Sequence, residues 1–473
     1  MTEELRSVSP ADPGDEIGRF AVADAAAVDA AVERAHRAFP AWRDAGFEAR
    51  AEIIRRFRDL ASRRQAELAE LIAREAGKAL WDARSEARLL PAKVDVTLSQ
   101  GMRLVTPIET EAGIRATHHP RGVLTVLGPF NFPAHLPNGH IVPALATGNT
   151  VVFKPSELTP AAGALLSDLW WQAGLPEGVL GLVQGGAETG RALVEHHAVD
   201  GVLFTGSYAA GRALAEAVLD QPAKLLALEM GGKNAVVILD DADLDLAVAE
   251  TALSICATTG QRCTSASRLF ATPGIIDAFA EKLSAVLHGI EIGPPLEPGV
   301  FMGPLISRAA HAKVEHYRQL SRECGGERLV LVDPDLPPPY VGPGLMRFVD
   351  AGQTHRYHRD EIFGPEAALY PVADLEQAVA AANDSEYGLA ASVFTRRRSH
   401  YEHFVGRLRT GILNWNRGTI GASGKLPFGG LGKSGNDRPT GIAATLYCTA
   451  PQAHLESEGS FDPESLPPGM PPP

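Results

Sequence analysis

The sequence predicts an α/β protein made of two parallel-sheet α/β domains. Three observations carry this. The chain has 473 residues, more than one hydrophobic core serves, so at least two lobes are expected. From Gly122 onward, short apolar runs end in loops rich in Gly, Pro, Lys and Asn and alternate with helix-like segments. That alternation is the pattern of parallel strands covered on both faces. A second series of the same kind begins near Asn234.

The elements follow in order. Residues 24–100 read as amphipathic helices. Val28, Val32, Ala35 and Phe39, then Ile53, Phe57 and Leu60, then Leu68, Leu71 and Ile72 recur at helical spacing, with Arg and Glu between them. Val123–Leu127, Thr150–Phe153, Val179–Val183 and Gly201–Phe204 read as strands, with helices over Thr159–Gly174 and Glu188–His196 between them. Ligand-binding loops belong at the carboxyl ends of such strands. Ala235–Leu239 opens the second series, and Asp240, Asp241 and Asp243 cap the helix that follows. The alternation runs on to Asn414. Leu336–Pro339 is a loop, and the closing Ser465–Pro473 is a proline-rich tail without internal pattern, either disordered or laid over a neighbouring surface.

Composition excludes several classes. With 44 basic and 57 acidic residues the net charge is −13 and no long basic block is present, which argues against nucleic acid and against an anionic membrane surface. No stretch approaches the roughly 18 apolar residues of a spanning helix. The polar, acidic N-terminus is no signal peptide. Cys256, Cys263, Cys324 and Cys448 form no C-x-x-C pair, so a zinc knuckle or redox dithiol is not suggested, and a cytoplasmic location is expected.

Several segments carry chemistry-bearing residues. In Gly260-Gln-Arg-Cys263 the thiol sits among polar residues and beside Arg262, a setting that favours the nucleophilic thiolate, although a lone Cys is commonly a small buried hydrophobe. In Leu228-Glu-Met-Gly-Gly232 the carboxylate of Glu229 stands in an apolar run. Partial burial would raise its pKa and suit it to proton transfer; a capping role is the alternative. Asn131, between Phe130 and Phe132, can offer an amide N–H to an oxyanion or simply turn the chain before Pro133. Phe204-Thr-Gly-Ser-Tyr-Ala-Ala-Gly211 joins a strand to a helix, where glycines let a phosphate approach backbone N–H groups, or where the chain merely turns. Lys154 and Glu157 end another strand, and Glu361 lies in Glu361-Ile-Phe-Gly-Pro365; each would read as an ordinary loop on its own.

Taken together and in this order, P-F-N-F-P, K-P-S-E, F-T-G-S, L-E-M-G-G-K, G-Q-R-C, E-I-F-G-P, L-N-W-N and P-F-G-G-L-G-K-S-G resemble the aldehyde dehydrogenase superfamily over roughly residues 20–455. The resemblance implies Cys263 as nucleophile, Glu229 as general base, and an oxyanion hole made by the Asn131 side chain and the Cys263 N–H. It implies NAD as cofactor, with Lys154 and Glu157 at the adenosine ribose, Gly206, Ser207 and Gly211 over the pyrophosphate, Glu361 at the nicotinamide ribose and Phe363 beside the ring. No metal is implied.

The resemblance further implies an NAD-binding domain from 1–105 and 121–232, a catalytic domain over 233–414, and a small β oligomerisation extension from 106–120 and 436–455, ahead of the 456–473 tail. A homodimer or higher homo-oligomer acting on a small-molecule aldehyde follows. The branch most similar is that of the N-succinylglutamate 5-semialdehyde dehydrogenases of arginine catabolism, through Ala134–Leu145, Asn436-Asp-Arg-Pro439 and Leu466-Pro-Pro-Gly469. For an anionic semialdehyde the loop after Asn414-Trp-Asn416 is the expected anchor, through Arg417, Ser423 and Gly424. Two departures stand out: the short N-terminus lacks the family's opening hairpin, and Lys233 follows the double glycine where the branch has Asn.

Overall fold

In a computed structural model, which describes residues 3–352, 354–436, 440–457 and 459–473, the first hundred residues form four helices, Ala25–Asp44, Phe47–Arg63, Gln65–Ala76 and Leu80–Ser99. Their apolar stripes are buried as the spacing requires. Ile54, Phe57, Leu68 and Ile72 are inaccessible, and the Phe57 ring stacks on Trp170 at 3.7 Å. Asp24 caps the first helix by accepting from the Ala27 N–H.

The expectation that the N-terminus lacks a hairpin is overturned. Glu4–Val8 and Glu16–Ala21 pair antiparallel, from Glu4 opposite Ala21 to Val8 opposite Glu16. The hairpin docks on the Gln65–Ala76 helix through an Asp15–Arg74 ion pair at 2.6 Å and a Ser7 hydroxyl that donates to Glu75 at 2.6 Å. Charged ties hold these two strands, so they carry little apolar alternation to announce them.

The first sheet contains five parallel strands in the spatial order Leu180–Leu182, Thr150–Lys154, Val123–Leu127, Gly201–Thr205 and Leu225–Glu229. The order reverses between Val123–Leu127 and Gly201–Thr205, so a crevice opens at their carboxyl ends. The loops carrying Asn131 and Ser207 leave from those two strands. The second sheet orders Glu327–Leu331, Gly344–Arg347, Glu366–Pro371, Ala266–Ala271, Asn234–Ile238, Ala390–Phe394 and Ile412–Trp415, parallel except at the Glu327–Leu331 edge. Both sheets match the α/β class expected. A third, antiparallel sheet joins Ile108–Glu111, Ile114–Pro120 and the distant Thr449–Leu455. The 459–473 tail carries a short helical turn, Pro463–Ser465, and a second turn closed by Met470 N donating to the Pro467 carbonyl. Asp437–Pro439 of the N-D-R-P segment lie outside the described residues.

The end of the chain returns to the first sheet. Met230 N donates to the Ser434 carbonyl, Glu229 bridges Gly435, and the Asn436 side chain bonds both Leu228 N and the Leu226 carbonyl. Residues 434–436 thereby cover the edge strand that ends in Glu229.

Buried carboxylates fix the loops. Glu75 accepts from the N–H groups of Ala161 and Ala162, at the start of the Pro160–Gln172 helix. Glu86 accepts from the N–H groups of Ala134 and His135, both at 3.0 Å, while Lys78 pairs with its other oxygen at 2.7 Å; both side chains are fully buried. Breaking a buried pair from one side leaves an uncompensated charge, which costs about 3–5 kcal/mol. Glu86→Gln is therefore expected to lower the thermal midpoint markedly, and adding Lys78→Met, which removes the orphaned amine, should recover part of the loss. Scanning calorimetry of the two variants checks this, and an unchanged midpoint for Glu86→Gln would show that the pair does not hold the loop.

Candidate active site

The turn that presents Cys263 is strained and tightly packed. After the Leu244–Cys256 helix the chain passes through Thr258 and Thr259, both at φ 55°, and Gly260 at φ 70°. A side chain at Gly260 would collide with the Gly364–Pro365 backbone, so the G-Q-R-C turn can meet the E-I-F-G-P loop only with glycine there. Asn131 donates its side-chain amide to the Gln261 carbonyl at 2.7 Å, and Asn234 donates to the carbonyls of Cys263 at 2.7 Å and Ser265 at 2.8 Å. Loops from the two sheets thus meet at the backbone of the Cys263 turn.

Glu229 ends the Leu225–Glu229 strand and is 1% exposed. Its charge acts on the Cys263 thiol. Burial pushes that thiol well above its ordinary value, and the carboxylates of Glu229 and Glu361 push it further. The expected thiolate-favouring setting is therefore corrected. Arg262 does pull the thiol down, but its guanidinium is committed to Asp82 at 2.7 Å and to the Thr258 hydroxyl at 2.8 Å. Cys263 opens partly onto a pocket, yet the protein packed around it outweighs that exposure.

Glu361 lies over the double glycine. Its carboxylate accepts from Gly232 N at 2.8 Å, and a side chain at Gly231 would occupy the space of that carboxylate. Burial raises Glu361 to about 7, against the pull of the Gly232 N–H, Lys313 and Lys233. Phe363, at φ 59°, sets its ring edge-on to Phe130 at 5.8 Å.

Along the crevice, Lys154 is buried and donates to the carbonyls of Gly185 at 2.7 Å and Pro155 at 3.0 Å. Glu157 lies 3.7 Å from its amine and is half exposed. Ser207 caps the Tyr208–Ala217 helix by accepting from Ala210 N, and Gly206 N donates to the Glu229 carbonyl. Gly211 faces inward, where a side chain would strike Met230 and Phe204; its smallness lets the helix approach the sheet.

The pocket beside Cys263 encloses about 160 Å³. Its wall includes Phe132 from the loop after the Val123–Leu127 strand, His135 and Leu136 from the start of the His135–Ala146 helix, and Ser423 and Gly424 from the loop after Asn416. Arg417 does not share this wall: its side chain is exposed, and its carbonyl accepts from the Ser392 hydroxyl. The cations that do line the pocket are Arg262 and Lys93. Lys93 was not singled out in the sequence, because a Lys on an amphipathic helix ordinarily reads as a solvated face. Cys256, by contrast, is fully buried in the second core. Among the described residues no cluster of His, Cys, Asp or Glu could hold a metal ion, and no helix is long and apolar enough to cross a membrane.

Comparison with known proteins places the chain in a family. The model of the aldehyde dehydrogenase family matches residues 1–453. The chain is 45% identical to N-succinylglutamate 5-semialdehyde dehydrogenase 1 of Caulobacter vibrioides, over 94% of each chain. It is 42% identical to N-succinylglutamate 5-semialdehyde dehydrogenase of Erwinia tasmaniensis, over 99% of this chain and 96% of that one. Among solved structures, PnpE in complex with nicotinamide adenine dinucleotide superposes with a TM-score of 0.92 at 32% identity, over 98% and 96% of the two chains.

A raised thiol has a direct signature. Thiolate is the minor form of Cys263 at neutral pH, and its share grows about tenfold per pH unit until the folded pKa is reached. Alkylation of Cys263 by iodoacetamide, followed by peptide mass spectrometry, should keep accelerating through the ordinary thiol range. A rate that levels off near neutrality would contradict the burial argument.

Proposed function

The chain belongs to the aldehyde dehydrogenase family, and on that premise we propose that it oxidises N-succinyl-L-glutamate 5-semialdehyde to N-succinyl-L-glutamate, a step of arginine catabolism, through a thioester on Cys263. It is an NAD-dependent enzyme. One observation carries the assignment of chemistry to residues: Cys263 shares a pocket with the Ser423–Gly424 loop while the charge of Glu229 reaches its sulfur.

The residues along the crevice fit the cofactor. The first turn of the Tyr208–Ala217 helix leaves backbone N–H groups without intrahelical acceptors, which suits a pyrophosphate. The half-exposed Glu157 beside the buried Lys154 suits ribose hydroxyls, and its charge disfavours a 2′-phosphate. Glu361 and Phe363 suit the nicotinamide ribose and ring. When bound, NAD supplies the acceptor for the hydride that leaves the substrate carbon.

The chain's own residues do the rest. The Cys263 thiol gives up its proton to solvent in the pocket, and the thiolate sulfur so formed attacks the aldehyde carbon. The second N–H of the Asn131 amide and the Cys263 N–H, which has no acceptor among the described residues, receive the oxyanion. Such donors are worth about 3–4 kcal/mol each in other enzymes. Glu229 then takes a proton from the water that hydrolyses the thioester. A CoA-acylating relative would need no such base, and Glu229 argues against that chemistry. For recognition, the Ser423 hydroxyl and the Gly424 backbone are suited to a substrate carboxylate.

A second reading rests on the apolar side of the same pocket, where Phe132 and Leu136 suit a neutral aldehyde or another semialdehyde. The exposed edges of the third sheet, with Ile108, Ile114 and Leu455 at the surface, support pairing with a second copy as a homodimer or higher oligomer. Four unpaired cysteines support a reducing, cytoplasmic setting.

Two measurements test this. NADH formation without CoA should favour N-succinyl-L-glutamate 5-semialdehyde over propanal by well over tenfold in kcat/KM; a preference for neutral or aromatic aldehydes rejects the substrate and leaves the second reading. Glu229→Gln should give a burst of NADH in stopped flow followed by a nearly stalled steady state, because thioester hydrolysis comes after hydride transfer. Loss of the burst would assign Glu229 to an earlier step, and the raised Cys263 thiol gives that outcome a physical basis, since the same carboxylate could take the thiol proton.

A further inference from the structure

The Leu80–Ser99 helix turns an unusual set of charged side chains inward: Asp82, Glu86 and Lys93 are all buried. Nearby, Lys78 also has no exposure. Their pairing is uneven. Lys78 is matched by Glu86 at 2.7 Å, and Arg262 is matched by Asp82 at 2.7 Å. Lys93 has no carboxylate within ion-pair distance among the described residues. Its only hydrogen bond there is the one its amine donates to the Gly441 carbonyl at 2.8 Å.

A lysine that is 7% exposed and has no counter-charge within ion-pair distance is costly in a folded protein unless something else supplies the anion. Burial pulls its pKa down to about 8, and the neighbouring Cys448 thiol, itself deeply buried and pushed up by that burial, stays neutral and offers no counter-charge. Lys93 nevertheless lines the Cys263 pocket together with Ser423, Gly424 and Gly441, the residue whose carbonyl its amine reaches. His135 supplies a second observation. It lines the pocket, its ring is neutral because burial and the charges of Lys93 and Lys78 hold it near 3, and its buried Nδ1 has no hydrogen-bond partner. A Lys and a His with an unpartnered ring nitrogen therefore line the same pocket as the Ser423–Gly424 loop.

We infer that Lys93, aided by the His135 imidazole, is a specificity-determining residue that receives one carboxylate of a dianionic semialdehyde, leaving the Ser423–Gly424 loop for the other. This rests on the anionic-substrate reading given above, and it gives the recognising charge to Lys93 in place of Arg417. It supplies the counter-charge that the fold withholds from this amine, and only an acidic substrate brings it.

The test compares kcat/KM for N-succinyl-L-glutamate 5-semialdehyde and for propanal in the full-length wild type, Lys93→Gln and Lys93→Arg. Gln keeps an N–H for the Gly441 carbonyl and loses the charge. It is expected to lower kcat/KM for the anionic substrate at least tenfold more than for propanal, chiefly through KM. It should also weaken inhibition of propanal oxidation by N-succinyl-L-glutamate by a similar factor. Arg keeps the charge and is expected to retain a preference for the anion, which makes it the informative variant should Gln fail to fold. Equal falls on both substrates, an unchanged ratio in the Gln variant, or loss of the preference in the Arg variant would overturn the inference and leave Lys93 as a tether for Gly441. A wild type without any anion preference would remove the substrate reading itself, and that result is visible before any variant is made.

Discussion

The Leu80–Ser99 helix is the constraint on which the site depends, because it holds both catalytic loops through buried charge. Glu86 grips the backbone N–H groups of Ala134 and His135 and so fixes the segment that follows Asn131. Asp82, one turn earlier, grips Arg262 and so fixes the residue before Cys263. The Asn131 loop leaves the first sheet, and the Cys263 turn lies between strands of the second. Their meeting point, the Asn131 bond to the Gln261 carbonyl, is short because one rigid helix positions both sides. Buried ion pairs contribute little net stability, but once formed they tolerate few alternative arrangements, which is what an oxyanion site needs.

Close backbone approach is the second theme. Gly231 makes room for the Glu361 carboxylate, and Gly260 lets the Cys263 turn lie against Gly364 and Pro365. Burial, with the carboxylates of Glu229 and Glu361 acting in the same direction, pushes the Cys263 thiol up. A protonated thiol is a weak nucleophile and also a poor target for oxidants, so reactivity is held back until proton transfer is arranged.

Much of this was legible in the sequence for a physical reason. Strands such as Val123–Leu127 and Gly201–Thr205 are buried on both faces, so they appear as largely apolar runs without alternation, broken only by Thr125 and closed by Thr205. The glycine-flanked motifs stand at their ends because only there can ligand and backbone meet. The misses share a cause too. The N-terminal hairpin is held by Ser7 and Asp15 reaching to another helix, and such long-range polar ties leave no periodic trace. The neighbours of Cys263 in sequence show Arg262 but not the burial of the thiol or the approach of Glu229 and Glu361, which lie 34 residues before it and 98 after it and together outweigh the pull of Arg262. Arg417 follows L-N-W-N in the sequence, whereas the loop turns its side chain outward; Lys93 carries no motif, and only the packing of its helix brings it to the pocket.

The return of residues 434–436 to the first sheet bears on how the protein comes into being. Glu229 lies near the middle of the chain, yet the backbone around it is completed by hydrogen bonds to Ser434, Gly435 and Asn436. Further stitches from the same late segment run from Asn149 to the Cys448 carbonyl and from Arg121 to that of Tyr447. During translation every strand of both parallel sheets leaves the ribosome before these residues do. A nascent chain can therefore assemble its scaffold while the bed of its water-activating carboxylate stays unfinished, and truncated products are left without the edge that seats that group.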